Sequence, residues 1–241
     1  TGVFYDVEND KVFVVDQGNN RVLIWNSLPR DAGQPADVVI GQKDFVSRSP
    51  NMGKGEGRAS QESMYFPNDV VAGKTGFFVS DTGNNRVLYW KEVPTENGQP
   101  ADMVFGQSNF FDNRHNRNGQ ANATTLNDPY GLWLEEEENP EWVPPEENVL
   151  KETQEDETLE ESPSLDEEDT VEEQIPEYLF KIFIADRGNS RVVVWNELPI
   201  LPTDESAGGE DDHIEIEDPN LLIGDGDEED EDDSPEELPS V

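Results

Sequence analysis

One ten-residue sequence occurs three times in this chain. DQGNNRVLIW spans 16–25, DTGNNRVLYW spans 81–90 and DRGNSRVVVW spans 186–195. The first two agree at eight of ten positions. Chance does not return matches of that length, so the chain must fold as one unit repeated and laid side by side. The unit is longer than the decamer. GQPADVVIGQKDF at 33–45 returns as GQPADMVFGQSNF at 98–110, and EDPNLLIGD at 217–225 is a degraded third version. A lead-in, YFPNDVVAG at 65–73, pairs with NDPYGLWLE at 127–135, and TGVFYDVEN is its shortened counterpart at the start.

Spacing locates what has been added to the repeat. Asp16 to Asp81 is 65 residues, but Asp81 to Asp186 is 105. Pro67 to Asp81 is 14 residues, whereas Pro129 to Asp186 is 57. The extra residues of the third unit therefore lie between its lead-in and its decamer. Trp25 to Gly41 and Trp90 to Gly106 are both 16, but Trp195 to Gly224 is 29, so a second insertion of 13 falls between 199 and 217.

Charge follows the insertions. The 241 residues carry 56 Asp+Glu and 16 Lys+Arg, a net −40. Residues 135–177 hold 20 acids and one base, Lys151, and residues 203–241 hold 18 acids and no Lys or Arg. The remaining 159 residues sum to −3. Both acidic stretches have the Pro, Glu, Asp and Ser bias that buries too little apolar surface to offset ordering entropy. The expected organisation has four parts. Residues 1–133 hold two units and the first strand of the third, and 134–177 are an acidic low-complexity insertion. Residues 178–225 complete the third unit, with an acidic loop at 199–217, and 226–241 are an acidic disordered tail. A charge this negative disfavours a phosphate-tracking nucleic-acid binder and an anionic membrane surface. No apolar run approaches the roughly 18 residues of a membrane span. The chain has no Cys, which removes disulfides, thiolate zinc sites and cysteine nucleophiles. It starts at Thr1 without a signal-like segment and reads as a fragment or mature piece.

Within a unit the pattern predicts four short strands, a to d. In the second copy these are Asn68–Ala72, Phe77–Asp81, Arg86–Trp90 and Asp102–Phe105. Val, Ile, Phe, Tyr and Trp fill them, and Gly, Pro, Asn and Asp punctuate. The b–c turn has its own chemistry: Gly83 can take positive φ, and Asp81 can accept from turn amides. Four-stranded units in series predict an all-β fold, a β-propeller. Antiparallel order sends the a–b and c–d loops to one face and the b–c turns and d–a loops to the other. The acidic insertions thus share one face. The d–a loops 41–66 and 106–127 share the opposite face with the turns, and carry Lys43, Arg48, Lys54, Arg58, Arg114 and Arg117.

The motif Asp-x-Gly-Asn-x-Arg-Val, as Asp16, Gly18, Asn19 and Arg21, then Asp81, Gly83, Asn84 and Arg86, then Asp186, Gly188, Asn189 and Arg191, resembles the NHL repeat. The variety it is similar to continues with Trp-x-x-x-Pro and Gly-Gln-Pro-Ala-Asp-x-Val-x-Gly-Gln, as found in large bacterial proteins. The resemblance covers nearly all of 1–133 and 178–225. It implies a propeller, usually six-bladed, and an extracytoplasmic or cell-surface setting. With three units present, the expected architecture is a partial propeller whose further blades come from missing chain or from self-association. The resemblance does not imply one activity, since such propellers serve as protein-binding platforms, RNA-binding modules, sensors and an enzyme scaffold.

The recurrent Arg21, Arg86 and Arg191 are expected to brace their turns, and Trp25, Trp90 and Trp195 to pack between blades. The candidate binding face is carried by Arg48, Arg58, Arg114 and Arg117. Asp225, Asp227, Glu228 and Asp230 are weak Ca²⁺ candidates, because they lack the spaced ligands and closing Glu of an EF-hand loop. Catalysis has little to build on. His115 and His213 have no ligand partner at helical or hairpin spacing, and neither a nucleophile elbow nor a phosphate loop is present. The expected function is a non-catalytic scaffold for protein partners, with no cofactor, its acidic face selecting basic partners or cations. The alternative is a fragment of a metal-dependent propeller lyase or hydrolase, for which Pro67-Asn68-Asp69 and Asn127-Asp128-Pro129 are the only hints.

Overall fold

The computed structural model describes residues 2–140, 142 and 178–199. Among these are eleven β-strands, short 3₁₀ turns and no α-helix. Sheet I is β1 (Val3–Asp6), β2 (Lys11–Asp16), β3 (Arg21–Trp25) and β4 (Val38–Ile40), in that order. Sheet II is β5 (Val70–Gly73), β6 (Gly76–Asp81), β7 (Arg86–Trp90) and β8 (Met103–Phe105). Sheet III has β9 (Pro129–Glu138), β10 (Tyr178–Asp186) and β11 (Arg191–Trp195). Every pairing is antiparallel. Equivalent positions hold equivalent registers: Asp16 faces Arg21, Asp81 faces Arg86 and Asp186 faces Arg191.

Apolar residues on both sides of a strand need cover on both sides. Sheet II receives it. Phe77, Val79, Leu88 and Trp90 face sheet I and meet Phe13, Val15, Val22 and Ile24. Phe78, Val87, Tyr89 and Phe105 face sheet III and meet Leu132, Ile182, Ile184 and Val193. Rings carry both joints. Phe13 lies 5.0 Å from Phe77, which lies 5.6 Å from Trp90, and Phe105 lies 5.5 Å from Trp195. Each such aromatic contributes about 1.5–3 kcal/mol through burial.

Two local expectations are revised. β9 runs on to Glu138, so Glu135–Glu138, inside the expected 134–177 insertion, are paired strand and not disordered loop. Their partners on β10 are Tyr178 to Lys181, and Glu136 reaches across to sheet II. The b–c turn also works differently. Gly83 does not take positive φ; the left-handed residues are Asn20, Asn85 and Ser190. Gly83 is needed for close approach instead, since a Cβ there would sit 2.4 Å from Tyr65 Cδ1 and 2.6 Å from its carbonyl oxygen. The fourth strand expected in the third unit, most of the 134–177 insertion, most of the 199–217 loop and the 226–241 tail lie outside the described residues.

Candidate functional site

The turns at 17–20, 82–85 and 187–190 all lie at one end of the sheets, where the loops 41–66 and 106–127 fold over them. Asp81 and Arg86 form the centre of the second turn and are fully buried. Arg86 Nε donates to Asp81 Oδ2 at 2.8 Å, Nη1 donates to the Phe110 carbonyl, and Nη2 donates to the carbonyls of Ser60 and Ser63. Asp81 also accepts from Asn84 Nδ2 and the Tyr65 amide. The acceptor role expected toward turn amides is thus taken up by side chains and a loop amide. Burial pushes the Asp81 carboxyl above its ordinary value, and Arg86, Asn84 and the Tyr65 amide oppose that push. Arg21 with Asp16 and Arg191 with Asp186 repeat the pair at 2.8 and 2.7 Å.

The asparagines stitch loop to turn. Asn51 and Asn84 exchange reciprocal amide bonds at 2.9 and 3.1 Å, and Asn116 and Asn189 do the same at 2.9 Å. Asn51 and Asn116 are 65 residues apart and both left-handed, each beside a second left-handed residue, Met52 or Arg117. The sequence reading missed this pair; its signal was the same 65-residue spacing that relates Asp16 to Asp81. The second turn asparagine joins adjacent sheets. Asn20 accepts from the Phe66 amide and donates to the Arg48 carbonyl, while Asn85 accepts from Asp128 and donates to Asn113.

The recurrent polar groups are therefore spent inside the molecule. Of the tryptophans, Trp90 and Trp195 pack at the two joints, and Trp25, on the far side of sheet I, is half-buried. The exposed chemistry of this end lies on the loops. Arg48, Arg58, Arg114 and Arg117 are exposed, Arg117 bonding to the Thr124 carbonyl and pulled below its usual value by partial burial against the influence of Asp112. Val46 and Phe111, again 65 residues apart, stand exposed on the same loops. The opposite end carries a shallow hollow lined by Glu135, Glu137, Leu179, Lys181 and Asn196. Among the described residues no group of three or more His, Asp and Glu is placed to hold a metal ion. Asp225, Asp227, Glu228, Asp230 and His213 lie outside the described residues. No described helix is long and apolar enough to cross a membrane.

Fold and site together define a class: serial antiparallel β-sheets packed face to face, bound at one end by Asp–Arg turns and capping loops. No protein-family model matches the chain, and no curated protein matches it at a significant level.

Proposed function

We propose that the three sheets are blades of an NHL-type β-propeller, and that the chain is a non-catalytic scaffold. It binds a protein partner through the loops 41–66 and 106–127. The observation that carries this reading is the division of labour at the turn end. The repeated Asp, Asn and Arg groups are consumed by internal bonds, while Val46 and Phe111 project beside Arg48 and Arg114. Apolar tips flanked by cations on a rigid frame suit a partner surface with acidic and apolar character. The acidic stretches add solubility and select basic partners or cations.

The test is affinity capture on the immobilised chain, compared with the variant Val46→Ser, Phe111→Ser, Arg48→Glu, Arg114→Glu. A protein retained by the unaltered chain and lost with the variant, in a salt-dependent manner, supports the reading. Capture that persists in the variant, or turnover of a small substrate by the metal-supplemented chain, rejects it.

A further inference from the structure

The molecule contains the same sheet-to-sheet joint twice, I on II and II on III, built from equivalent positions. The positions left over at its two ends are the two halves of that joint. On sheet III, Val192 stands 105 residues from Val87 in the repeat, and Val87 stands 65 from Val22. Val22 and Val87 are 0% exposed within joints, but Val192 is 51% exposed. Trp133 is the counterpart of Val71 and is 68% exposed where Val71 is 7%. Phe183 and Val194 complete this face. On sheet I, Val3 is 69% exposed where its counterpart Val70, at the same register position, is 1%. Tyr5, Val14, Leu23 and Trp25 share that open face, matching Ala72, Val79, Leu88 and Trp90 of the first joint.

Repeat arrays that end in water carry polar capping faces. Neither end here is polar, and no described residue covers either one. Sheet III cannot reach sheet I of its own chain, because sheet II stands between them. We infer that a second copy of the chain docks head-to-tail, the open face of sheet III seating on the open face of sheet I as I seats on II. The contact is heterologous, so two docked copies close only if three sheets span half a turn. That closure rests on the six-bladed reading given above; the docking rests on the repeated joint alone.

Two exposed double variants separate the halves. Val3→Lys with Tyr5→Lys spoils only the sheet I face, and Trp133→Lys with Val192→Lys spoils only the sheet III face. Analytical ultracentrifugation over a concentration series reads the mass, and thermal melting checks the fold of each variant. The unaltered chain is expected to form a species of two copies. Either variant alone is expected to associate more than about tenfold more weakly, because a lysine would be buried without a partner. Mixed one to one, the two variants should pair through their remaining intact faces, a result only a heterologous contact gives. A chain that stays single at every concentration overturns the proposal. So does association that survives either variant, or a mixture that fails to pair. Longer open assemblies abolished by both variants support the docking and reject the six-sheet ring.

Discussion

Arg21, Arg86 and Arg191 make the same bond to an aspartate in three surroundings. The Arg86–Asp81 pair is wholly buried, whereas the side chains of Arg21 and Asp16 are 15% and 26% exposed. Removing one partner of a buried pair strands the other in low dielectric, which costs about 3–5 kcal/mol. Removing one partner of a pair in contact with water costs about 1 kcal/mol or less. Arg86→Ala should therefore lower the urea midpoint far more than Arg21→Ala; equal losses would show that burial does not set the value of the pair. Tyr89 gives a second residue-scale prediction. Its hydroxyl donates to the Thr75 carbonyl at 2.8 Å, and burial, helped by Asp102 and Glu92, pushes it up to about 12 from 10.0. The folded chain then holds this proton to higher pH than the unfolded chain. Stability contributed by the protonated group is present below pH 10 and is lost as pH rises toward 12. Tyr89→Phe loses the bond, about 1 kcal/mol, but does not titrate. Its melting-temperature deficit against the unaltered chain should shrink between pH 9 and about 11.5. A deficit constant over that range would contradict the shift.

At the scale of turns and strands, glycine at one repeat position serves unequal needs. A Cβ at Gly83 would strike Tyr65, and one at Gly188 would strike Asn127 at 2.5 Å, but one at Gly18 meets nothing within 4 Å. None of the three has positive φ. Gly18→Ala should thus be neutral or stabilise by up to about 1 kcal/mol through the unfolded chain, while Gly83→Ala should destabilise. Thermal melts of the two variants decide; a Gly83→Ala variant as stable as Gly18→Ala would refute the close-approach role. The strands themselves were legible, because runs such as Phe77–Asp81 and Arg86–Trp90 combine β-branched and aromatic residues with turn residues at each end. Glu135–Glu138 were not. A run of four carboxylates reads as solvated chain, and only pairing with Tyr178–Lys181 makes it strand. The left-handed role falls to Asn20 and Asn85 because it belongs to the residue that closes the 3₁₀ turn, two positions after the glycine, where asparagine tolerates positive φ. The Asn51–Asn84 stitch joins residues 33 apart across a loop, a contact no local pattern specifies.

For the molecule as a whole, the charge and the joints bear on each other at one residue. The described residues carry 22 Asp+Glu and 15 Lys+Arg, so most of the −40 lies outside them. One of those 22 acids holds two sheets together. Glu136 of sheet III accepts from the Lys74 amide at 3.1 Å, the Thr75 amide at 2.6 Å and Thr75 Oγ1 at 2.5 Å, all on the β5–β6 link of sheet II. Gly73 leaves room for it, since a Cβ there would lie 2.2 Å from Glu136 Oε2. Sheets stacked in series are stabilised by their own pairing and by each joint with a neighbour. Weakening one joint should then loosen the terminal sheet without loosening the far one. Glu136→Gln keeps the volume but turns one acceptor into a donor facing donors, a loss of about 1.5–3 kcal/mol. Native-state hydrogen exchange should show amides of β9–β11 exchanging about tenfold or more faster, since a tenfold change corresponds to about 1.4 kcal/mol. Amides of β1–β4, separated from the change by the whole of sheet II, should keep their rates. If all three sheets accelerate together, the molecule opens as one cooperative unit and the serial account of its stability is wrong.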